Sequence, residues 1–85
     1  MYQTVEPVPF AFVRGEEVLA RLAGAEVHHL RGGGRLAPAC VPPWMIGTVI
    51  GARRSAGTPA YLLRFPHDEC ECVCWVDEAA IEGTV

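Results

Sequence analysis

The sequence predicts a mainly β protein, folded as a small, partly open five-stranded antiparallel barrel. Three observations predict this class. Apolar and polar residues alternate along short runs between residues 44 and 76, which is the period of a half-buried strand. Turns that contain glycine or proline separate these runs at short intervals. Nine glycines and seven prolines among 85 residues favour many short elements over long helices.

The chain length predicts a single domain with a small core. Residues 1–14 include Pro7 and Pro9 and predict an extended N-terminal arm. Residues 15–85 predict the barrel domain. Phe10 and Phe12, late in the arm, predict either a short strand or a segment that anchors the arm.

The first strand is expected over residues 18–22, where apolar residues recur at every second position. A short helix over about 15–23 is the alternative, because Glu, Leu, Ala and Arg are good helix formers. A long, irregular, hairpin-like loop is then expected over 25–43. Its three consecutive glycines, residues 32–34, suit a reversal, and its prolines exclude it from a central strand position.

The second half of the chain predicts the rest of the sheet. Strands are expected over 45–52, 60–65 and 70–76, with turns over 53–59 and 66–69. Asp77 is a candidate N-cap for one helical turn over 78–80. A short last strand over 81–85 follows this turn.

These motifs resemble a known family in their order. G-E-E-V-L-A-R at 15–21, W-M-I-G-T-V-I at 44–50, A-Y-L-L-R-F at 60–65 and C-V-C-W-V-D-E-A-A-I-E at 72–82 resemble a Src-homology-3-like small barrel, nearest to Tudor- and Agenet-like modules. The resemblance covers about residues 15–83. It implies a non-catalytic interaction module, in which a ligand docks against aromatic side chains between two loops.

A second likeness is to the C-terminal barrel of the nitrile hydratase beta subunit. The matching positions are His28-His29, Pro42-Pro43, Gly47-Thr48-Val49 and the strand at 61–65. This likeness implies a different function, that of a small subunit or accessory protein of a metalloenzyme.

Charge and hydropathy argue against two classes of partner. The net charge is −3, and the seven basic residues, all arginine, are scattered, so nucleic-acid binding is not expected. No apolar run approaches the roughly 20 residues that span a bilayer, so no membrane partner is expected. The first ten residues lack the pattern of a signal peptide, which favours a cytoplasmic location and reduced thiols. The arginine pairs Arg31/Arg35 and Arg53/Arg54 are expected as solvated charges at hairpin tips.

Three of the four cysteines, Cys70, Cys72 and Cys74, share one face of the expected strand 70–76. Glu71 on the other face prefers water, so the cysteines are expected in the core, where a thiol packs as a small hydrophobe. A thiol-metal site built from Cys70, Cys72, His67 and Cys40 is the alternative. Because thiolates spaced along a strand do not readily surround one ion, no metal and no cofactor are expected.

The two adjacent histidines, His28 and His29, point to opposite sides of an extended chain and do not suit one metal ion. A nucleophilic pair of Cys40 with either histidine is conceivable. However, no residue pattern marks a third, orienting group or an oxyanion hole. The sequence therefore predicts a protein that is not an enzyme.

The outward register of two neighbouring strands predicts the binding surface. Trp75 and Val73 face outward on 70–76, and Leu62 faces outward on 60–65, whereas Tyr61 and Phe65 face the core. An exposed apolar patch of this kind marks an interface with a protein partner or with a second copy.

Trp44 is added to this surface as a second accessible aromatic residue. A cage for a methylated side chain, formed by Trp44 and Trp75, is one alternative role for the surface. Coverage of the patch by Phe10 and Phe12 is the other. The predicted partner-binding residues are Leu62, Val73, Trp75 and Trp44.

Overall fold

The computed structural model describes residues 9–85, and this part of the chain is mainly β. Six strands form in it: β1 (Glu17–Arg21), β2 (Val27–His29), β3 (Trp44–Ser55), β4 (Thr58–His67), β5 (Cys70–Asp77) and β6 (Ile81–Thr84). Short 3-10 turns occupy Pro38–Cys40 and Glu78–Ala80. The strands form one antiparallel sheet in the order β2-β5-β4-β3-β1-β6, in which the end strands β2 and β6 are not paired with each other. The mainly antiparallel prediction is confirmed, with six strands where five were expected.

The long strand β3 joins the two parts of the sheet. Its first half pairs with β1 and its second half with β4, and Thr48 is paired with both Glu17 and Arg64. The register to β4 shifts between Val49 and Gly51, which is the mark of a β-bulge. A bulge increases the local twist and bends the strand. This bend turns the β1–β6 part of the sheet relative to the β4–β5 part and lets one face enclose the core.

The core is built from the inward-facing side chains of the sheet. Its buried members are Val18, Ala20, Leu22, Val27, Leu36, Val49, Tyr61, Leu63, Phe65, Cys72, Cys74 and Val76. The predicted inward register of β4 and the predicted alternation of β1 are therefore confirmed, and β1 is a strand and not a helix. No buried side-chain nitrogen or oxygen of residues 9–85 lacks a hydrogen-bond partner.

One cysteine departs from the predicted core position. Cys72 and Cys74 are buried, but Cys70 is exposed. It is the first residue of β5 and pairs with His67, the last residue of β4. This is the last pair before the β4–β5 turn, and the inward-facing position there is not covered by other residues.

The segment predicted as a long irregular loop contains an ordered hairpin. β2 pairs with β5, and Leu36 N donates a hydrogen bond to Val27 O at 2.8 Å, which brings the returning chain alongside β2. Gly32 and Gly33 take positive φ angles of 84° and 71°, as the reversal requires. Val27 and Leu36 both enter the core. Three residues are too few for alternation to reveal β2 in the sequence.

Two smaller expectations were wrong. The Asp77 side chain forms no capping hydrogen bond to the 3-10 turn that follows it. Arg53 and Arg54 are exposed, as expected, but they lie within β3, before the turn at Ala56 and Gly57, and each guanidinium lies over an aromatic ring.

The N-terminal segment packs against the sheet from Phe10 onward. Phe10 and Phe12 meet the Tyr61 ring edge-on, with ring centres 6.0 and 5.3 Å away. The part of the predicted arm over residues 1–8 lies outside the described residues. Within residues 9–85, no helix has the length and hydropathy needed to cross a membrane.

Candidate functional site

The outer face of β4 and β5 carries a groove lined by most of the predicted binding residues. Leu62 pairs with Trp75, and Arg64 pairs with Val73, so these side chains share one face. The groove has a volume of about 480 Å³, and its lining is Glu26, His28, Arg53, Leu62, Val73, Cys74 and Trp75. Leu62, Val73 and Trp75 are half-buried and form its apolar floor. Three of the four predicted residues are therefore brought together.

The Trp75 ring extends across Leu62 toward β3. A Cβ atom placed on Gly51 would lie 4.0 Å from Trp75 Cη2 and 3.6 Å from Leu62 Cβ. The indole thus lies above Gly51, with space for a methyl group at ordinary contact distance between the ring and the strand. The Arg53 guanidinium carbon lies 4.1 Å from the ring centre. This stacked cation–π pair holds Trp75 along the groove and not away from it.

Most charges around the groove are already paired. Glu26 contacts Arg35 at 3.3 Å and His28 Nε2 at 3.8 Å. Outside the groove, Arg64 donates to Glu71 at 3.2 Å. Arg53 has no carboxylate partner within residues 9–85, because its guanidinium lies on the Trp75 ring. An arginine stacked through its face keeps its N–H edge free to donate to a carboxylate.

Trp44 does not line this groove, contrary to its grouping with Trp75. Trp44 is 45% exposed and is the first residue of β3. It pairs with Arg21 of β1, and the Arg21 guanidinium carbon lies 6.0 Å from the centre of the Trp44 ring. The separation arises because β3 changes partner at Thr48, so its two ends carry different surfaces. A cage that unites Trp44 with Trp75 is not formed.

The described part of the arm, from Phe10 onward, does not cover the groove. Phe10 and Phe12 make T-shaped contacts with Tyr61, which is on the inward register, and Tyr61 Oη accepts hydrogen bonds from Ala11 N at 2.8 Å and from Phe12 N at 3.4 Å. Arg54 adds a contact of 4.6 Å to the centre of the Phe10 ring. Residues 10–12 therefore leave the groove at Trp75 open.

Arg53, His28 and Glu26 also line the groove, although the sequence did not predict them there. Arg53 could have been predicted, because it lies two positions after Gly51 and therefore faces outward on the same strand. The prediction would have required β3 to continue beyond residue 52 to Ser55. His28 and Glu26 had no signal, since the pairing of β2 with β5 is not visible in so short a segment.

A separate cleft gathers thiol and imidazole groups. Its volume is about 240 Å³, and its lining is His29, Arg35, Leu36, Ala37, Cys40, His67, Asp68 and Cys70. Below it, Cys72 Sγ lies 4.0 Å from His29 Nδ1. Nowhere in residues 9–85 do three His, Cys, Asp or Glu side chains form a group that could hold a metal ion.

The two buried thiols of β5, Cys72 and Cys74, are kept protonated. Burial, followed by the charges of Cys70, Glu71 and Asp68, raises the pKa of the Cys72 thiol. Burial raises the pKa of the Cys74 thiol to about 11. A protonated thiol is a weak nucleophile and a weak metal ligand. The arrangement gives no support to the thiol-metal alternative.

The two histidines lie on different sides, as the sequence predicts. His28 lines the groove beside Trp75, and its Nδ1 lies 3.1 Å from Gly33 O. His29 lines the thiol cleft. Comparison of the chain with protein-family models, with curated proteins and with solved structures finds no match in any of the three.

Proposed function

We propose that this protein is a small, non-catalytic interaction module of Src-homology-3-like architecture that binds a protein partner through the groove at Trp75. The architecture is supported by the long bent strand β3, shared between two parts of the sheet, and by the 3-10 turn at Glu78–Ala80 before the last strand. The observation that supports the binding function most directly is the stacked pair of Trp75 and Arg53 above an apolar floor.

The groove suits an extended segment of a partner chain. Its floor offers the apolar surfaces of Leu62, Val73 and Trp75, against which one or two apolar side chains can pack. Tryptophan and arginine are the residues most enriched among those that dominate interface energies. Trp75 is held on the sheet before any partner binds, so little side-chain entropy is lost on binding.

Charge indicates the kind of segment that fits. Arg53 at the rim is free of carboxylate partners within residues 9–85, while Glu26 is paired with Arg35. A partner carboxylate next to an apolar side chain can accept hydrogen bonds from the Arg53 N–H edge while the apolar group lies on Trp75. We therefore expect a segment that combines an acidic residue with an aromatic or aliphatic neighbour.

Selection from a displayed library of random linear peptides tests this function and requires no identified partner. The expected result is enrichment of peptides that carry Asp or Glu beside an apolar residue. Their affinity, measured by fluorescence polarisation with a labelled peptide, should fall at least about tenfold for Trp75→Ser, because removal of a central aromatic anchor usually costs more than about 1.4 kcal/mol. Arg53→Gln should weaken binding and reduce its dependence on salt.

The matched control is Trp44→Ser, which removes an exposed tryptophan outside the groove and should leave peptide affinity unchanged. Selected peptides that bind Trp75→Ser as tightly as the natural chain would contradict the proposal. The absence of any acidic preference among them would contradict the role given to Arg53.

A further inference from the structure

A second apolar surface lies on the outer face of β1 and the first half of β3. We call it the β1–β3 face and define it by Leu19, Trp44 and Ile46, which are 37%, 45% and 49% exposed. Leu19 pairs directly with Ile46, and Trp44 lies two positions before Ile46, so the three side chains are contiguous. On the other side of Leu19 its partner in β6 is Gly83, which has no side chain to cover it.

Such a surface usually belongs to an interface. Single exposed apolar side chains are common on monomers, but a contiguous group of large ones marks a contact site more often. The N-terminal segment does not cover this group from Phe10 onward, because Phe10 and Phe12 lie on Tyr61. The groove at Trp75 lies beyond the bend of β3, on another part of the sheet.

The charges that flank this face identify its occupant. The outward residues of β1 are Glu17, Leu19 and Arg21, that is, an anion, an apolar residue and a cation at successive outward positions. Glu17 is exposed and has no ion-pair partner within residues 9–85. Arg21 contacts Glu82 at 3.4 Å and the Ala79 carbonyl at 3.0 Å, and half of its side chain is exposed, so further N–H groups remain available.

We infer that the β1–β3 face binds a second copy of this chain as a two-fold symmetric dimer. Consider a two-fold axis that runs between the two facing sheets, parallel to them, at right angles to β1 and level with Leu19. This axis places Leu19 of one copy against Leu19 of the other. The two β1 strands then run antiparallel, and Glu17 of each copy faces Arg21 of the other. An isologous interface must be self-complementary, and the order of charges along β1 meets this condition.

The neighbouring strand fits the same axis. Ile46 is the partner of Leu19 in the sheet, so it too meets its own counterpart. Trp44 of each copy then lies opposite Thr48 of the other, because Thr48 pairs with Glu17 just as Trp44 pairs with Arg21. A large side chain therefore faces a small, half-buried one on both sides of the axis. The face is small, and the dimer is expected to be weak and dependent on concentration.

Sedimentation velocity of the full chain over a wide range of concentration tests the dimer. The natural chain should convert from monomer to dimer as its concentration rises. Glu17→Arg and Arg21→Glu should each raise the dimer dissociation constant about tenfold or more, because each places like charges opposite one another. The two single variants mixed together should form a heterodimer, since every facing pair is then of opposite sign.

Several results would overturn the inference. They are a chain that stays monomeric at all concentrations, a dimer that ignores both charge changes, and single variants that do not associate when mixed. Thermal unfolding of each variant shows whether it is folded. Arg21→Glu also breaks the ion pair between Arg21 and Glu82. The mixing experiment controls for this loss, because the pair is still broken in the mixture and cannot explain association that returns there. Trp75→Ser is the matched control and should leave the dimer intact. A Trp75→Ser variant that no longer dimerises would show that the copies meet through the groove and not through the β1–β3 face. A natural chain that dimerises but binds no peptide would support this inference and contradict the proposed function.

Discussion

Gly47 and Gly51 occupy the same strand, β3, but face different surroundings. A Cβ atom on Gly47 would lie 3.2 Å from Leu63 Cβ and 3.3 Å from the backbone oxygen of Arg64, which is closer than ordinary contact. A Cβ atom on Gly51 would lie 3.6 Å from Leu62 Cβ, at normal contact distance. Neither residue has a positive φ angle, so space and not backbone strain distinguishes them.

The two alanine substitutions are therefore expected to act in opposite directions. Gly47→Ala should lower the free energy of unfolding by about 1–3 kcal/mol, since an extra carbon is forced against β4. Gly51→Ala should be neutral or stabilising by up to about 1 kcal/mol, because it restricts the unfolded chain and fills space below Trp75. Urea unfolding of the two variants side by side measures both effects. Equal destabilisation by the two would contradict the close approach at Gly47.

Individual residues of β3, β4 and β5 differ in how far the sequence predicts their surroundings. The inward register of Tyr61 and Phe65 followed from alternation, because burial on one side imposes a period of two. That of Cys72 and Cys74 followed from alternation together with the polarity of Glu71 on the opposite face. The partner of Arg53 did not follow, since a cation–π contact joins residues two strands apart through their side chains. Such a contact depends on where the strand bends, which no local pattern reports.

At the scale of elements, the N-terminal segment is held by one phenol. Tyr61 Oη accepts hydrogen bonds from the backbone N–H groups of Ala11 and Phe12, and its ring makes T-shaped contacts with those of Phe10 and Phe12. The aromatic contacts position the segment on the sheet, while the hydrogen bonds fix its backbone. The two contributions can be separated by one substitution.

Tyr61→Phe retains the ring and removes the acceptor. It should lower the free energy of unfolding by about 0.5–1.5 kcal/mol, as for loss of ordinary hydrogen bonds. Amide hydrogen exchange should accelerate at Ala11 and Phe12, whose N–H groups lose their acceptor. The Val49 amide, which donates to Glu16 O at 2.9 Å, serves as internal control and should exchange as before. Unchanged protection of Ala11 and Phe12 would show that the phenol does not hold the segment.

The elements differ in how far the sequence predicts them. Strands β3, β4 and β5 were expected within a few residues of their bounds, because each is long enough to show alternation and ends in a clear turn. β2 was missed, since its three residues gain their place from pairing with β5 and from the Gly32–Gly33 reversal. The separation of Trp44 from the groove was missed for a related reason. It depends on β3 changing partner at Thr48, a long-range property of the sheet.

At the scale of the whole molecule, β3 contributes to both proposed surfaces. Its first half supplies Trp44 and Ile46 to the β1–β3 face, and its second half supplies Arg53 to the groove. A dimer formed through the β1–β3 face would leave both grooves open. Two grooves in one particle would bind a partner with repeated acidic–apolar segments more tightly than one groove alone, because the second contact becomes intramolecular. Binding of such a partner to both grooves would in turn favour the dimer over the monomer.

The dependence of stability on alkaline pH is a property of the whole fold that originates in its buried thiols. Burial raises the pKa of the Cys74 thiol from 9.0 to about 11 and also raises that of Cys72. The unfolded chain therefore loses these protons at lower pH than the folded chain. Between about pH 9 and pH 11 the folded state binds more protons, so the free energy of unfolding falls as pH rises. The slope is at most about 1.4 kcal/mol per pH unit for each thiol.

Cys74→Val tests the origin of this slope, because valine fills a similar apolar site and does not titrate. The free energy of unfolding, measured in urea with a reductant present, should fall less steeply with pH in the variant than in the natural chain. Subtraction of the two curves removes the contribution of every other group that titrates in this range. Val76→Ala is the matched control, since it alters the same buried face of β5 and removes no titrating group, so it should leave the slope unchanged. Parallel curves for the natural chain and Cys74→Val would mean that the Cys74 thiol ionises equally easily in the folded and unfolded states, contrary to its burial in the core.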